Sequence, residues 1–150
     1  MLLSRKWLNE FVSIDANDHD FSEDMTLSGS KVEITEVEGD EISNVVVGRV
    51  VEIVRHEDSD HMWICQVDVG EEAPIQIVTG AQNVKQGDLV PVAKHNSTLP
   101  GGIRIKKGKL RGEPSNGMLC SFKELGLDSR DFPAAFEDGI WIRSDDPELV

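Results

Sequence analysis

The sequence predicts a mainly β fold, in which a small five-stranded barrel follows a short helical prefix. The chain has 150 residues, which is long enough to bury one core without disulfides. Its apolar residues follow helical spacing near the N-terminus and change to strand-like patterns from Val45 onward. Turn residues then recur at short intervals, and a closed barrel is an economical way for short strands to hide their edges.

Two short helices are predicted in the first 30 residues. Trp7, Leu8, Phe11 and Val12 fall on one face of a helix that Ser4 is suited to cap. A second helix is predicted over residues 20–27. It ends before Gly29, because a glycine commonly follows the last helical turn.

Short strands follow the helical prefix. Residues 45–54 are rich in β-branched side chains and predict a long strand, in which Gly48 marks a bend or bulge. Pro91 predicts an edge position or a bulge for its own strand. Residues 121–126 predict one or two helical turns. The other predicted strands cover residues 62–69, 74–78, 89–93, 103–105, 109–111 and 139–142.

Charge is distributed unevenly along the chain. The net charge is −13, which disfavours a general nucleic-acid binder, yet residues 94–111 carry six basic and no acidic side chains. This stretch predicts a local positive lobe that reaches about one Debye length, ~8 Å at physiological salt. Taken alone, these residues leave two alternatives open, an anion-binding surface or a solvated barrel face. The six residues are Lys94, Arg104, Lys106, Lys107, Lys109 and Arg111.

Aromatic side chains that could stack on nucleobases are scarce. The chain has five Phe, three Trp and no Tyr, and only His95 lies inside the basic stretch. Any nucleic acid is therefore expected to be recognised through its backbone and shape. If all six cations met phosphates, log K would fall with log salt at a slope of about −4 to −5.

Histidine and glycine patterns suggest two alternative kinds of site, and both are disfavoured. His56 and His61 are five residues apart, whereas a zinc-protease helix needs a spacing of four, so a solvated polar loop is favoured over a metal site. Leu99-Pro100-Gly101-Gly102 lacks the Gly-Lys-Ser/Thr ending of a phosphate-binding loop and predicts a tight turn.

The two cysteines are too few for a disulfide framework. Cys65 and Cys120 lie far apart, which fits a reducing cytosol. Cys120 is a candidate nucleophile, but no neighbouring residue in the sequence activates it, so a role as a small buried apolar residue is favoured. No apolar run is long enough for a membrane span, and no secretory signal is expected at the N-terminus.

A series of motifs in residues 45–127 resembles the tRNA-binding domain of several tRNA synthetases and free-standing tRNA-binding proteins. It includes Val47-Gly48-Arg49-Val50, Ile77-Val78-Thr79-Gly80-Ala81-x-Asn83-Val84 and Lys109-Leu110-Arg111-Gly112-x-x-Ser115-x-Gly117-Met118-Leu119-Cys120-Ser121. The resemblance implies an oligonucleotide/oligosaccharide-binding (OB) fold, a five-stranded barrel. The residues expected to serve as motif or structural positions are Gly48, Asp60, Gly80, Asn83, Ser115, Gly117, Met118 and Ser121.

The two ends of the chain narrow the resemblance to the N-terminus of the bacterial phenylalanine–tRNA ligase β subunit. The matching segments are Leu3-Ser4-x-x-Trp7-Leu8, Gly29-x-Lys31-Val32-Glu33 and Glu137-Asp138-Gly139-Ile140-Trp141. This implies an α/β prefix, residues 1–44, that packs with the tail, residues 128–150, around a tRNA-binding OB domain, residues 45–127. That subunit is several times longer, so the chain is expected to be an N-terminal fragment.

The family resemblance implies a non-catalytic, tRNA-binding role for this piece, with the six basic residues as contacts. The whole enzyme, an α2β2 heterotetramer in the cytoplasm, attaches phenylalanine to tRNA(Phe) with ATP and magnesium, and its α subunit holds the catalytic centre. No cofactor, metal or catalytic residue is expected in this piece, and neither a membrane nor DNA is expected as a partner. The alternative is a structural module that packs against other domains or subunits.

This chain departs from the family pattern in two loops. The family commonly has His-Pro-x-Ala-Asp-x-Leu where this chain has His56-Glu57-Asp58-Ser59-Asp60-His61-Met62. A second loop, usually Gly-Ala in the family, is His95-Asn96-Ser97 here.

Overall fold

Two short helices form the first unit of the chain, Met1–Glu38. The computed structural model describes residues 3–37, 39–127 and 138–143. Helix α2 spans Asp18–Leu27 and confirms the second predicted helix. Helix α1 spans only Arg5–Leu8, so the first predicted helix is shorter than expected, and Phe11 and Val12 follow it in a turn. Each helix is capped, because Ser4 Oγ accepts from Trp7 N at 3.3 Å and Asn17 Oδ1 accepts from Asp20 N at 2.9 Å. Within the described ranges, no helix is long and apolar enough to cross a membrane.

The second unit, Gly39–Val150, contains the barrel. Its strands are β1 Ser43–Arg55, β2 Trp63–Asp68, β3 Ile75–Thr79, β4 Leu89–Leu99, β5 Ile103–Arg104, β6 Gly108–Leu110, β7 Glu113–Ser115 and β8 Gly117–Leu119. The main sheet has the order β3-β2-β1-β4-β5, and β8 pairs with β4. Contacts between β8 and β3, with Asn116 N donating to Gln76 O at 2.8 Å, nearly close the five antiparallel strands into a barrel. The predicted OB-fold barrel is therefore confirmed.

The barrel interior is filled by alternate residues of the long strands, chiefly valine and isoleucine. Gly48 faces this interior, where an added Cβ would lie 2.7 Å from Val92 Cγ2 and 2.8 Å from Val67 Cγ1. Only glycine fits there without a shift of its neighbours. The bulge in β1 lies two residues later, where the pairing with β2 shifts between Val50 and Glu52.

Pro91 lies in a strand with partners on both sides, so its predicted edge or bulge position is wrong. It pairs with Val47 of β1, and its carbonyl accepts from Cys120 N at 2.9 Å. Because N and O of one residue point to the same side, the missing Pro91 N–H leaves the β1 ladder intact. The Cys120 carbonyl that it would have served accepts from Trp141 N at 3.2 Å instead.

The strands β7 and β8 are too short for periodicity to reveal, and neither is predicted from the sequence. The side chain of Ser115 holds them. Its Oγ accepts from Val78 N of β3 at 3.1 Å and donates to Gly117 O at 3.0 Å. Gly117 passes so close to β4 that an added Cβ would lie 2.6 Å from Ala93 O. Glycine is therefore required where these two backbones meet.

Residues 138–143 return to the barrel, although the predicted last strand is reduced to an isolated bridge between Ile140 and Ser121. Asn83 holds this segment, because its Nδ2 donates to Ile140 O at 2.8 Å and its Oδ1 accepts from Ile140 N at 3.0 Å. Ile140 is buried in the barrel core. The predicted packing of residues 128–150 against the prefix falls largely outside the described ranges, and the domain boundaries stay a prediction.

The segment after β8 forms a hydrogen-bonded turn where one or two helical turns were predicted. Ser121 and Glu124 cap each other across it. Ser121 N donates to Glu124 Oε2 at 2.6 Å, and Glu124 N donates to Ser121 Oγ at 3.2 Å. Of the other motif residues, Met118 packs against a second apolar cluster, which consists of Ala93, Leu99, Cys120 and Leu125. Asp60 is exposed in the β1–β2 loop, and the Gly80 carbonyl accepts from Gln82 Nε2.

Candidate nucleic-acid interface

Arg104 and Lys106 point away from the barrel interior. Strand β5 pairs with the end of β4, and the pairing continues to Ile105, whose N donates to Ser97 O at 3.0 Å. Ile105 packs against the second apolar cluster, so alternation places its two neighbours on the opposite face. Both basic side chains are exposed there.

Lys109 and Arg111 are carried by the β6–β7 hairpin. Its two-residue turn, Arg111-Gly112, has φ values of 49° and 90°, which matches a type I′ turn. Glycine, asparagine or aspartate usually occupies the first turn position, and a left-handed residue with a larger side chain costs roughly 1–2 kcal/mol. Arg111 therefore occupies a strained position at the tip of the hairpin, and strained residues of this kind cluster at functional sites.

The hairpin is fastened to the outer wall of the barrel by glutamine side chains. Gln76 Nε2 on β3 donates to Pro114 O at 2.9 Å and to Glu113 Oε2 at 3.3 Å. Gln66 Nε2 on β2 in turn donates to Gln76 Oε1 at 3.1 Å. This chain of hydrogen bonds holds the hairpin in place, so its cations stand on a fixed support.

Five of the six predicted basic residues lie exposed and without an acidic partner. Across the described ranges, no carboxylate oxygen lies within 4.0 Å of their side-chain nitrogens. Lys94 differs, because its Nζ lies 3.1 Å from Glu71 Oε1 and its side chain is only 24% exposed. We name the five exposed residues the cationic stretch: Arg104, Lys106, Lys107, Lys109 and Arg111.

His95 lies beside the cationic stretch and is partly buried. Its ring Nδ1 accepts a hydrogen bond from Lys107 N at 3.0 Å. The sequence indicates His95 only as a candidate surface for base stacking. The contact with Lys107 joins residues 12 apart, and no local motif predicts it.

One tryptophan of the barrel is already engaged by a cation of the protein. The Arg55 guanidinium lies 5.2 Å from the ring centroid of Trp63, and Trp63 Nε1 donates to Gln82 Oε1 at 3.3 Å. Trp63 is also partly buried against the core. The arrangement favours contacts to a nucleic-acid backbone over stacking on this ring.

The two histidines of the β1–β2 loop, His56 and His61, lie in different environments. His56 is buried, and its Nδ1 accepts from Asp58 N at 3.1 Å, which folds the loop back over the ring. His61 is exposed. In the part of the chain that the structure describes, no group of three or more His, Cys, Asp or Glu side chains could hold a metal ion.

Both cysteines are buried as free thiols. Burial raises the pKa of Cys65 to about 11. Burial, with a further contribution from the Glu124 carboxylate, raises the pKa of Cys120 to about 12. A nucleophilic thiolate is disfavoured at both positions near neutral pH.

Comparisons with known proteins show which proteins this chain resembles. A family model described as "Putative tRNA binding domain" matches residues 45–139. The phenylalanine–tRNA ligase beta subunit of Clostridium acetobutylicum is 57% identical over 122 residues, which cover 81% of this chain and 15% of that protein. The counterpart from Clostridium tetani is 50% identical over 144 residues, covering 96% of this chain and 18% of that protein.

A solved structure, the C-terminal domain of Plasmodium vivax p43, is 29% identical with a TM-score of 0.42, and the match covers 53% of this chain and 45% of that chain. By comparison, the present chain spans only 15% of the length of the Clostridium acetobutylicum protein and 18% of that of the Clostridium tetani protein. The family match covers most of the barrel unit, including all five barrel strands except the first two residues of β1. The chain belongs to the tRNA-binding domain family.

Proposed function

We propose that this chain is the tRNA-binding portion of the β subunit of a phenylalanine–tRNA ligase, and that its cationic stretch contacts the sugar-phosphate backbone of tRNA. The observation that carries the proposal is the exposure of five unpaired cations on β5, the β6–β7 hairpin and their connection. Cations without protein partners repel one another, and phosphates relieve that repulsion.

The proposal accommodates the acidity of the chain as a whole. A net charge of −13 opposes approach by a polyanion, but that opposition is screened beyond about 8 Å at physiological salt. The cationic stretch acts within this distance, where displaced counterions favour binding. With at most five phosphate contacts, the slope of log K against log salt is no steeper than roughly −4.5.

In the whole ligase we assign this piece a binding role and no chemical step. Attachment of phenylalanine to tRNA with ATP and magnesium belongs to the complete cytoplasmic enzyme, and the catalytic centre to the α subunit of an α2β2 assembly. The high identity to the two clostridial β subunits supports this assignment.

The test is tRNA binding by the chain at several salt concentrations, measured by fluorescence anisotropy. The double variant Lys106→Glu/Lys107→Glu is expected to lower affinity more than tenfold at low salt and to reduce the slope by about 2. The control is Lys85→Glu/Lys123→Glu, which makes the same charge change at exposed lysines outside the cationic stretch. Equal losses in the two variants, or salt-insensitive binding by the unmodified chain, would contradict the proposal.

A second role rests on a different surface, the first unit. Neither helix has a buried residue, and Phe11 is 72% and Leu27 78% exposed. Apolar surface of this kind favours a packing module within a larger protein. Phe11→Asp/Leu27→Asp is expected to lower the melting temperature of a full-length ligase and to leave that of this chain unchanged. Equal changes in both proteins would contradict this role.

A further inference from the structure

We propose that His95 is a positioning residue for RNA binding. Its imidazole holds the backbone of the connection between β5 and β6, so that the side chains of Lys106 and Lys107 are kept in position to contact RNA. The inference rests on the proposed function of the cationic stretch and adds to it a residue that makes no phosphate contact itself.

The backbone around His95 leaves the regular ladder of β1 and β4. Ala93 pairs with Val45 and Thr98 pairs with Ser43, so the four residues 94–97 lie opposite Asn44 alone. Asn44 has a left-handed backbone with φ of 57°, and its Nδ2 donates to His95 O at 2.9 Å. We call residues 94–97 the protruding segment, and it is held to β1 through the carbonyl of His95.

On its other side, the protruding segment is held by the chain that follows β5. Asn96 N donates to Ile105 O at 2.8 Å, and Ile105 N donates to Ser97 O at 3.0 Å. Two residues of β4 thus face one residue across the ladder, which is a β-bulge with Asn96 left-handed at φ 65°. The bulge fixes the backbone of β4 immediately after His95.

The imidazole completes the arrangement by holding the connection itself. His95 Nδ1 accepts from Lys107 N at 3.0 Å. Among the residues that the structure describes, this is the one hydrogen bond made by the backbone of Lys106 and Lys107. Without it, the connection from Ile105 to β6 loses its tie to the barrel, and ordering two lysines would oppose binding.

The contact sets a chemical requirement that suggests matched variants. The position must offer an acceptor two bonds from Cβ, which Nδ1 of histidine and Oδ1 of asparagine both supply. His95→Leu keeps a side chain of moderate size but removes the acceptor. His95→Asn removes most of the ring and keeps the acceptor.

The experiment measures tRNA affinity against salt for the chain and both variants. His95→Leu is expected to weaken binding about three- to tenfold at low salt and to reduce the slope by about 1. His95→Asn is expected to stay within about twofold of the unmodified chain. Hydrogen exchange at the Lys107 amide should accelerate in His95→Leu and remain slow in His95→Asn.

A double-mutant cycle separates positioning from a general loss of structure. Lys106→Ala/Lys107→Ala is expected to cost less affinity in the His95→Leu background than in the unmodified chain, because His95 acts through these lysines. Additive losses would overturn the inference, as would His95→Asn binding as weakly as His95→Leu.

The two levels of proposal fail differently. If the lysine variants lower the salt slope and His95→Leu does not, the positioning role fails while the cationic interface stands. If the unmodified chain binds tRNA without salt dependence, the interface fails and the role of His95 in RNA binding fails with it.

Discussion

The wall formed by β1, β2 and β3 differs sharply from the part of the barrel that carries the cationic stretch. In the wall, strands of five or more residues run in register, and one bulge interrupts them. Around the cationic stretch the strands have two or three residues. Of the three non-glycine residues with positive φ in the described ranges, Asn96 and Arg111 lie there or directly beside it. The third, Asn44, is at the start of β1, where its side chain bonds the carbonyl of His95. The regular strands thus form a rigid wall, whereas the cationic side chains are carried by short strands and turns with irregular backbone.

The strongest test introduces one methyl group where β8 passes close to β4 in the closed barrel and another beside the cationic stretch. Gly117→Ala places a Cβ 2.6 Å from Ala93 O, so we expect a loss of about 3 kcal/mol or more in unfolding free energy. Gly108→Ala, beside the cationic stretch, meets nothing within 4 Å and should change stability by less than about 0.5 kcal/mol. Urea denaturation measures both, and similar losses would remove the distinction.

The next test concerns the tail clamp, which is the pair of hydrogen bonds by which Asn83 holds residues 138–143 against the barrel. Asn83→Ala removes both hydrogen bonds to Ile140 and should lower the free energy of unfolding by about 2 kcal/mol. Binding to tRNA should keep its salt slope, because the clamp carries no charge. A changed slope in Asn83→Ala would show that the two regions are coupled.

The buried thiols give the barrel core a predictable response to alkaline pH. Both pKa values are raised above the unfolded value near 9, so the folded state holds its thiol protons longer. This stability is fully present below pH 9 and is lost as pH rises toward 11 and 12. By pH 9.5 the loss should reach about 1 kcal/mol per thiol. The double variant Cys65→Ala/Cys120→Ala should show less pH dependence, and an unchanged profile would contradict the assignment.

The smallest expected effect comes from a substitution that should change fold stability and tRNA affinity in opposite directions. Arg111→Asn places a favoured residue in the type I′ turn and should raise stability by about 0.5–1 kcal/mol. The same change removes a cation, so tRNA affinity should fall and the salt slope should decrease by about 1. Thermal melts and binding titrations measure the two effects. A loss of both stability and affinity would contradict the account of strain at Arg111.

Sequence reasoning succeeds where a pattern repeats over enough residues. Strands β1, β2 and β3 and helix α2 follow from periodicity and composition, because each offers several alternating or helically spaced side chains. The other two elements are predicted with wrong lengths, since β4 is expected to end at residue 93 and continues to Leu99, while α1 is expected to include Val12 and ends at Leu8. Sequence reasoning fails for β7 and β8, whose three residues each give no measurable period. It also misplaces Pro91, because the sequence does not show which side of a strand a missing N–H faces.

The candidate site follows the same division. The charge run identifies the cationic stretch in the sequence, since absence of acidic residues is visible without a fold. The ion pair of Lys94 with Glu71 is not visible, because these residues are 23 apart and meet only when the barrel closes. The contacts of His95 and Asn83 are non-local for the same reason, so the sequence indicates these residues but not their partners.

The hydrogen bond from Trp141 to the Cys120 carbonyl has a practical consequence for dissection of this molecule. It fills the gap that proline leaves at the β4–β8 seam, while its neighbour Ile140 seals one end of the core. A barrel excised after residue 127 would lose both, and it would expose apolar surface at the open end. The smallest piece expected to behave as an intact folding unit therefore extends through Arg143, whose N donates to Leu89 O at 2.7 Å.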